Sequence, residues 1–416
     1  MAHISQQAVD IYDLRSLAKK RLPKAMFDSL DHGSEDDVAY RHNRDVLDRI
    51  KLVHRVLNDV SDRDPSINLF GKRRALPLII GPTGVTSWVS YRGEVALAKA
   101  AAAANIPFVL TSTTATPMET VLKEGGGSQW YQAIIWRDIE ATLNGIKRAR
   151  DAGFETLILT VDSTVPYNRP YDQRNRLKFP LRLRPSHFLE PVRHPRWTFS
   201  TPVRYLLSER QLPQMVNIEV PKGVSRAAGS PFWAKADSLT WDFLRRIRDL
   251  WPRTLVLKGI LHPDDALRAI ECGVDGIVVT NHGGGTNDAA PSPLEMLPGV
   301  VAAVRGRVPV LVDSGFRRGS DVLKAVALGA DAVLVGRATL YGLGAGGEAG
   351  AHHAVSLLGN EIRRMMGVLG VSDLSSIGRD HLMLPGDLAH LARDATPWKG
   401  PNLNLASAEL EPVTAQ

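Results

Sequence analysis

Residues 308–342 read VPVLVDSGFRRGSDVLKAVALGADAVLVGRATLYG, and the fold is decided here. Two runs, Val308–Asp313 and Ala332–Gly336, are short, β-branched and apolar without alternation, as strands buried on both faces of a parallel sheet are. Between them SDVLKAVALG has helical spacing, with Ser320 the expected cap and Gly329 the expected stop. Strand, helix and strand in about 30 residues make one βαβ unit.

Working outward, the same rhythm predicts six more strands: Leu76–Ile80, Phe108–Ser112, Trp130–Ile135, Thr156–Asp162, Thr254–Lys258 and Gly276–Asn281. The helix PDDALRAIECG opens on Pro263 at its first position and closes at Gly273. Eight such units predict an α/β chain closed into a (β/α)8 TIM barrel. An open doubly wound sheet would carry GxGxxG after its first strand, and GPTGVTS lacks that spacing. Glycines suited to phosphate come instead after strands seven and eight, where barrels build that site.

Residues 1–70 read as an N-terminal helical cap, with three short helices between Tyr12 and Ile50. The barrel is expected over 71–380 and a C-terminal tail over 381–416. Within the barrel, 163–253 is far longer than an ordinary connection and is expected to be a lid or appendage. It is also basic, with nine Lys/Arg against three Asp/Glu from Asp172 to Arg210.

Of 416 residues, 44% are hydrophobic and 23% charged, and the 35 glycines and 26 prolines are scattered, which excludes a disordered or fibrous chain. A single cysteine, Cys272, excludes a disulfide framework and a multi-cysteine zinc site; no metal is expected. The opening MAHISQQAVDIYDLRS lacks the apolar core of a signal peptide. The stretch Val95–Leu110 is broken by Lys99, Asn105 and Pro107 and is too short to span a bilayer. A cytoplasmic protein is expected. The net charge of +7 lies mostly in the insert and accompanies no nucleic-acid-binding module, so no nucleic-acid partner is expected.

Several polar residues end apolar strands, where barrels place chemistry. Gly315 and Gly336 allow close backbone approach to a phosphate, and Arg317 and Arg337 add charge-assisted donors. His282, in TNHGGG, is placed to act as a general base. Lys258, in LVLKG, aims an ammonium at the barrel mouth, and Asp162 is the natural partner for a protonated His282.

These motifs, DSGFRRGSDVLKAVALGADAVLVGRATLYGL, TNHGG, VLKG, LTVD and GPTG, resemble the FMN-dependent 2-hydroxy-acid oxidases and dehydrogenases, the family of glycolate oxidase, lactate oxidase and mandelate dehydrogenase. The resemblance runs over essentially the whole chain, including LPKAMFDSLDHGSEDD in the cap. It implies FMN as cofactor, with Pro82, Thr83, Gly84, Ser112, Gln132 and Thr160 around the flavin ring and Lys258 beside it. It also implies Asp313, Gly315, Arg317, Gly336 and Arg337 toward the phosphate end, and His282 with Asp162 for proton transfer. It further implies a small-molecule substrate, a homotetramer, and oxygen, a quinone or a protein as electron acceptor.

The substrate pocket departs from the family pattern. Where relatives read NHGGRQLD or NHGARQLD this chain reads NHGGGTND, placing Gly285 where an arginine clamps the substrate carboxylate. Two pocket tyrosines fall at Ser29 and Ile134; Arg169 is the retained cation. Losing one partner of a buried charged hydrogen bond typically costs ~2–5 kcal/mol. The flavin and proton-transfer residues nevertheless stand intact. The leading expectation is therefore an oxidoreductase acting on a C–OH or C–NH carbon of a bulkier or neutral metabolite. A secondary-metabolism role fits, as in the similar mycofactocin-maturation branch, which shares NHGG without the arginine. Alternatives are a mandelate- or lactate-like 2-hydroxy-acid enzyme using Arg169 or a lid arginine, and a flavoprotein scaffold without turnover. The insert is expected to serve as a lid or oligomer contact ahead of a membrane contact, because Pro195, Pro202 and Pro213 interrupt any long amphipathic helix.

Overall fold

The computed structural model describes residues 2–175, 192–220, 224 and 231–392. Eight parallel strands close into a barrel: β1 (Leu78–Ile80), β2 (Phe108–Thr111), β3 (Gln129–Ile134), β4 (Thr156–Thr160), β5 (Thr254–Ile260), β6 (Gly276–Val279), β7 (Val310–Val312) and β8 (Ala332–Val335). Pairing of β8 with β1, Val333 opposite Leu78, closes the ring. This is the expected (β/α)8 barrel.

Period-two alternation decides which residues point inward. Ile79, Val109, Trp130, Ile158, Val256 and Leu311 fill the barrel, while Leu78, Phe108, Leu157 and Leu255 face the surrounding helices. Both faces are thus covered, which accounts for the unbroken apolar runs. A hairpin, Ile67–Leu69 with Lys72–Arg74, plugs the N-terminal mouth; both turn residues, Phe70 and Gly71, have positive φ, as a two-residue hairpin turn requires. The Phe70 ring lies 5.6 Å from Trp130, and a Cβ at Gly276 would sit 2.8 Å from it.

Six of the eight strands stop one or two residues short of their expected C-terminal ends; β1 ends at Ile80 as expected, and β5 runs two residues further, to Ile260. Asp162, Asn281, Asp313 and Gly336 lie just beyond them, in the loops of the C-terminal mouth. Ser320 is not a helix cap. The helix spans Gly319–Ala327, and the Asp321 carboxylate accepts the backbone N–H groups of Arg317 and Arg318, both at 2.9 Å. An acidic residue in the first turn satisfies two amides that a serine hydroxyl would meet singly.

The cap holds the three expected helices, Ile11–Arg21, Lys24–Asp31 and Val38–Arg49, and one more, Ala2–Gln7. Asp31 bolts it to the barrel, accepting two bonds from Arg15 (2.5 and 2.6 Å) and one from Tyr341 (2.7 Å) on the long helix Arg337–Leu369. The insert is anchored by buried Asn217, whose amide bonds Thr114, Thr116 and Met118. Its return stretch bridges onto the end of β3, Lys235 opposite Trp136.

Candidate active site

At the C-terminal mouth the loops after the strands enclose a cavity of about 380 Å³, within the usual range for small-molecule sites. His282 follows β6 with a φ of +57°, a conformation few non-glycine residues adopt. Its backbone N–H donates to Thr280 Oγ1 at 2.9 Å, and the N–H of Gly283 donates to Ser314 Oγ at 2.9 Å. Asn281 exchanges amide bonds with Asn43 of the cap helix. The strained turn is therefore held from both sides.

The Nδ1 of His282 lies 3.1 Å from Asp162 Oδ1. Burial pushes the Asp162 carboxyl up, but His282 and then Lys258 outweigh it and hold it below the ordinary carboxylate range. An ionised Asp162 accepts the hydrogen bond of Nδ1–H, which leaves Nε2 as the basic nitrogen for the cavity. The close approach depends on Gly259, in the bulge of β5. There φ is +122° and a Cβ would lie 2.7 Å from the Asp162 backbone nitrogen.

Lys258 is buried at the cavity wall, 3.2 Å from Asp313 and 3.3 Å from Thr280 Oγ1, and Thr280 donates to Asp313. Pro82, Thr83, Gly84, Gln132, Gly315 and Gly336 line the same cavity, as do Ser29, Ile134, Arg169 and Gly285. Ser112 and Thr160 stand one layer behind. Ser112 Oγ accepts the Ile134 N–H at 3.3 Å, and Thr160 Oγ1 accepts from Gln132 at 2.7 Å, orienting that amide. Asp162 is likewise behind His282.

The two arginines expected near phosphate differ. Arg317 is buried at the cavity, with Nη1 on the Phe316 carbonyl and Nη2 without a partner. Arg337 also lines the cavity, but three of its five N–H donors go to the carbonyls of Leu30, Gly283 and His32 at 2.7 to 2.9 Å, stapling cap to barrel. Arg169 is also engaged, by Asp172 at 3.2 Å, the Ser29 carbonyl at 2.7 Å and the Tyr171 hydroxyl at 3.1 Å.

Residues 18–384 match the family model described as FMN-dependent dehydrogenase. The chain belongs to that family. This FMN-dependent dehydrogenase is 40% identical over 386 residues to (S)-mandelate dehydrogenase of Pseudomonas putida, covering 92% of this chain and 96% of that one. It is 37% identical to L-lactate dehydrogenase of Alcaligenes faecalis, over 89% of this chain and 97% of that one. Among solved structures, one described as monotopic membrane protein (S)-mandelate dehydrogenase superposes with a TM-score of 0.84 at 40% identity, covering 91% of this chain and all of that one. The relatives it matches act, by their names, on hydroxy acids. FMN is the dehydrogenase's cofactor, and the cavity fits it. The partnerless Arg317 Nη2 suits an anionic end, and Gly336, where a Cβ would sit 3.2 Å from Thr83, leaves backbone bare beside it.

Three residues escaped the sequence reading. Tyr167 lies with its ring centroid 5.8 Å from that of His282, and its hydroxyl is 2.6 Å from Ser163 Oγ. Burial pushes that phenol up to about 12. Trp136 and Lys235 close the same wall. The one available signal for Lys235 was a lone lysine inside PFWAKA, an apolar setting for a charge.

Proposed function

We propose that the enzyme oxidises the C–OH carbon of a 2-hydroxy acid with a side chain of aryl size, in the manner suggested by its mandelate relatives. The carrying observation is that one cavity holds His282, backed by ionised Asp162, together with a cationic wall that includes Arg169. A neutral secondary metabolite, expected from the missing arginine at Gly285, draws no support from relatives named for mandelate and lactate. Gly285, Ser29 and Ile134 instead read as room for a larger acid.

Arg317, Gly315 and Gly336 would hold the phosphate end of FMN, with Pro82–Gly84 and Gln132 at its ring and Lys258 alongside. Bound FMN supplies the acceptor for the two electrons that leave the substrate carbon. His282 Nε2 takes the substrate proton, and the Asp162 carboxylate stabilises the imidazolium that results. Lys258, fixed by Asp313 and Thr280, adds positive charge where negative charge gathers.

The test is anaerobic flavin bleaching by mandelate, lactate and glycolate beside neutral alcohols and cyclic amides. Bleaching by mandelate, lost in His282→Ala, supports the reading; bleaching by neutral compounds alone overturns it. Oxygen uptake against dye or quinone reduction then identifies the electron acceptor.

A second reading concerns the insert. On its short helices Pro195–Ser200 and Pro202–Ser208, Trp197 and Tyr205 pack inward while Phe199 and Leu207 stand 70% and 80% exposed beside Arg196 and Arg204. No helix among the described residues is long and apolar enough to cross a membrane. An apolar and basic face of this kind, on a chain similar to a monotopic membrane protein, supports peripheral docking to an anionic bilayer from the cytoplasm.

A further inference from the structure

The insert delivers a cation to the cavity, and its position is fixed by backbone. The Arg137 N–H donates to the Ala234 carbonyl at 2.7 Å, and the Ala236 N–H donates to the Ile135 carbonyl at 3.0 Å. Between these two bonds Lys235 faces Trp136 across an antiparallel bridge, and Trp136 packs edge-on against Trp233 at 5.1 Å. The stretch thus makes a single antiparallel bridge just beyond β3, whose last residue is Ile134.

From there the Lys235 ammonium reaches over the Tyr167 ring, 3.2 Å from its centroid, and donates to Ser163 Oγ. It lines the cavity with His282 and Gly285. Among the described residues no carboxylate lies within ion-pairing distance of it. Lys258 has Asp313 and Arg169 has Asp172, so those charges are already matched. A half-buried ammonium held only by a hydroxyl and a ring face is incompletely compensated, and an incoming anion would complete its surroundings.

We propose that Lys235 binds the substrate carboxylate, taking the place of the arginine absent at Gly285. This assignment rests on the 2-hydroxy-acid reading and names the residue that makes that reading chemically workable. Tyr167 supplies a face for the ammonium and its ring lies 5.8 Å from that of His282, so Lys235 and the base share one wall of the cavity and a carboxylate on Lys235 would keep the adjacent C–OH carbon within that wall's reach. Burial also pushes the Lys235 ammonium down to about 7, against a smaller pull from Asp162. An anion favours the protonated form, so affinity for a carboxylate is full below that value and falls as pH rises through it. The other titratable or charged groups facing Lys235 are Asp162, Tyr167, His282 and Arg169, and a Lys235→Arg variant retains all four.

The experiment measures equilibrium binding of 2-oxo-2-phenylacetate and its uncharged amide to the flavin-loaded enzyme, by perturbation of the flavin spectrum, from pH 6 to 9. Wild type should bind the acid more tightly than the amide and lose that preference above about pH 7. Lys235→Met should weaken the acid by about 30-fold or more, leave the amide unchanged and retain FMN. Lys235→Arg should recover most of the acid affinity with a flat pH profile. Equal acid binding by wild type and Lys235→Met, with both loaded with FMN, overturns the assignment while leaving the hydroxy-acid reading intact. Equal weakening of acid and amide also overturns it, because that is the mark of a mere support for Tyr167. If wild type takes the amide and refuses the acid, the hydroxy-acid reading itself fails and the assignment with it.

Discussion

Asn43 and Asn281 exchange two side-chain hydrogen bonds, 3.0 Å and 2.8 Å long, between the cap helix and the residue before His282. Both amides are buried, and Asn281 spends its remaining capacity on the Gly284 N–H and the Pro291 carbonyl. The cap, distant in sequence, is therefore part of what holds the His282 turn at its positive φ. Replacing Asn43 by Leu leaves one N–H and one lone pair of the buried Asn281 amide without a partner, at a cost of about 1–3 kcal/mol. The expected outcome is a lower melting temperature together with a fall in kcat, with FMN still bound. A variant with full kcat would show that the turn holds itself.

The proton-transfer pair makes a graded prediction. His282→Gln should lower kcat by roughly 10²- to 10⁴-fold, the usual range for a general base, while the flavin spectrum stays that of the loaded enzyme. Asp162→Asn should also lower kcat, because a neutral amide neither sets the tautomer nor stabilises the imidazolium. Stopped-flow flavin reduction separates these effects from product release. Unimpaired reduction in His282→Gln would remove His282 from the mechanism.

Asp162 also ties stability to pH. Its carboxyl is held below the ordinary range in the folded protein, burial being outweighed by His282 and Lys258. Its contribution is therefore fully present above the unfolded-state value of about 4 and is lost as pH falls through the lower folded value. Melting curves between pH 7 and pH 3 should show wild type and Asp162→Asn far apart at neutral pH and converging in acid. A constant gap would contradict a carboxylate held ionised by its surroundings.

Arg317 is assigned to the phosphate because its buried Nη2 has no protein partner, whereas Arg337 is occupied by three carbonyls. Arg317→Met should weaken FMN by about 10-fold or more and riboflavin hardly at all, since only FMN carries the charge. Titration of apoprotein by flavin fluorescence reads both. Arg337→Met should chiefly lower thermal stability, because it cuts the staple between cap and barrel. Equal loss of FMN and riboflavin in the Arg317 variant would assign that residue to the scaffold instead.

For the insert, the double change Phe199→Asp with Leu207→Asp should abolish sedimentation with phosphatidylserine vesicles. Soluble turnover should be unaffected, since both side chains face outward. Wild type remaining in the supernatant at low salt would exclude the peripheral docking.

Much of this was legible in the chain alone. Unbroken runs such as LILTVD and VLVDSG, separated by helical spacing, define eight buried parallel strands because period and burial are local properties of a sequence. Lys258, His282, Asp162, Arg317 and the glycines beside them stood out for the same reason: each lies near the C-terminal end of an apolar run, and those ends meet at one mouth. Ser320 misled because a serine before a helical run is an ordinary cap, and the competing carboxylate one residue on is equally local. Only packing chose between them.

Other relationships depend on neighbours far apart in the chain. Arg337 looks like a phosphate ligand beside Gly336 and becomes a staple once the cap brings the carbonyls of Leu30 and His32 against it. Gly285 reads as the loss of a cation, yet Lys235, some fifty positions earlier, puts one on the cavity wall through an insert whose return stretch bridges to Trp136, just past β3. Sequence determined the barrel and brought the candidate base and candidate phosphate-end residues to its mouth, since those follow from periodicity and strand-end position. Tertiary structure decided which charges are already matched and which face the cavity open, because compensation of a buried charge depends on whatever the folded chain places within a few ångströms of it.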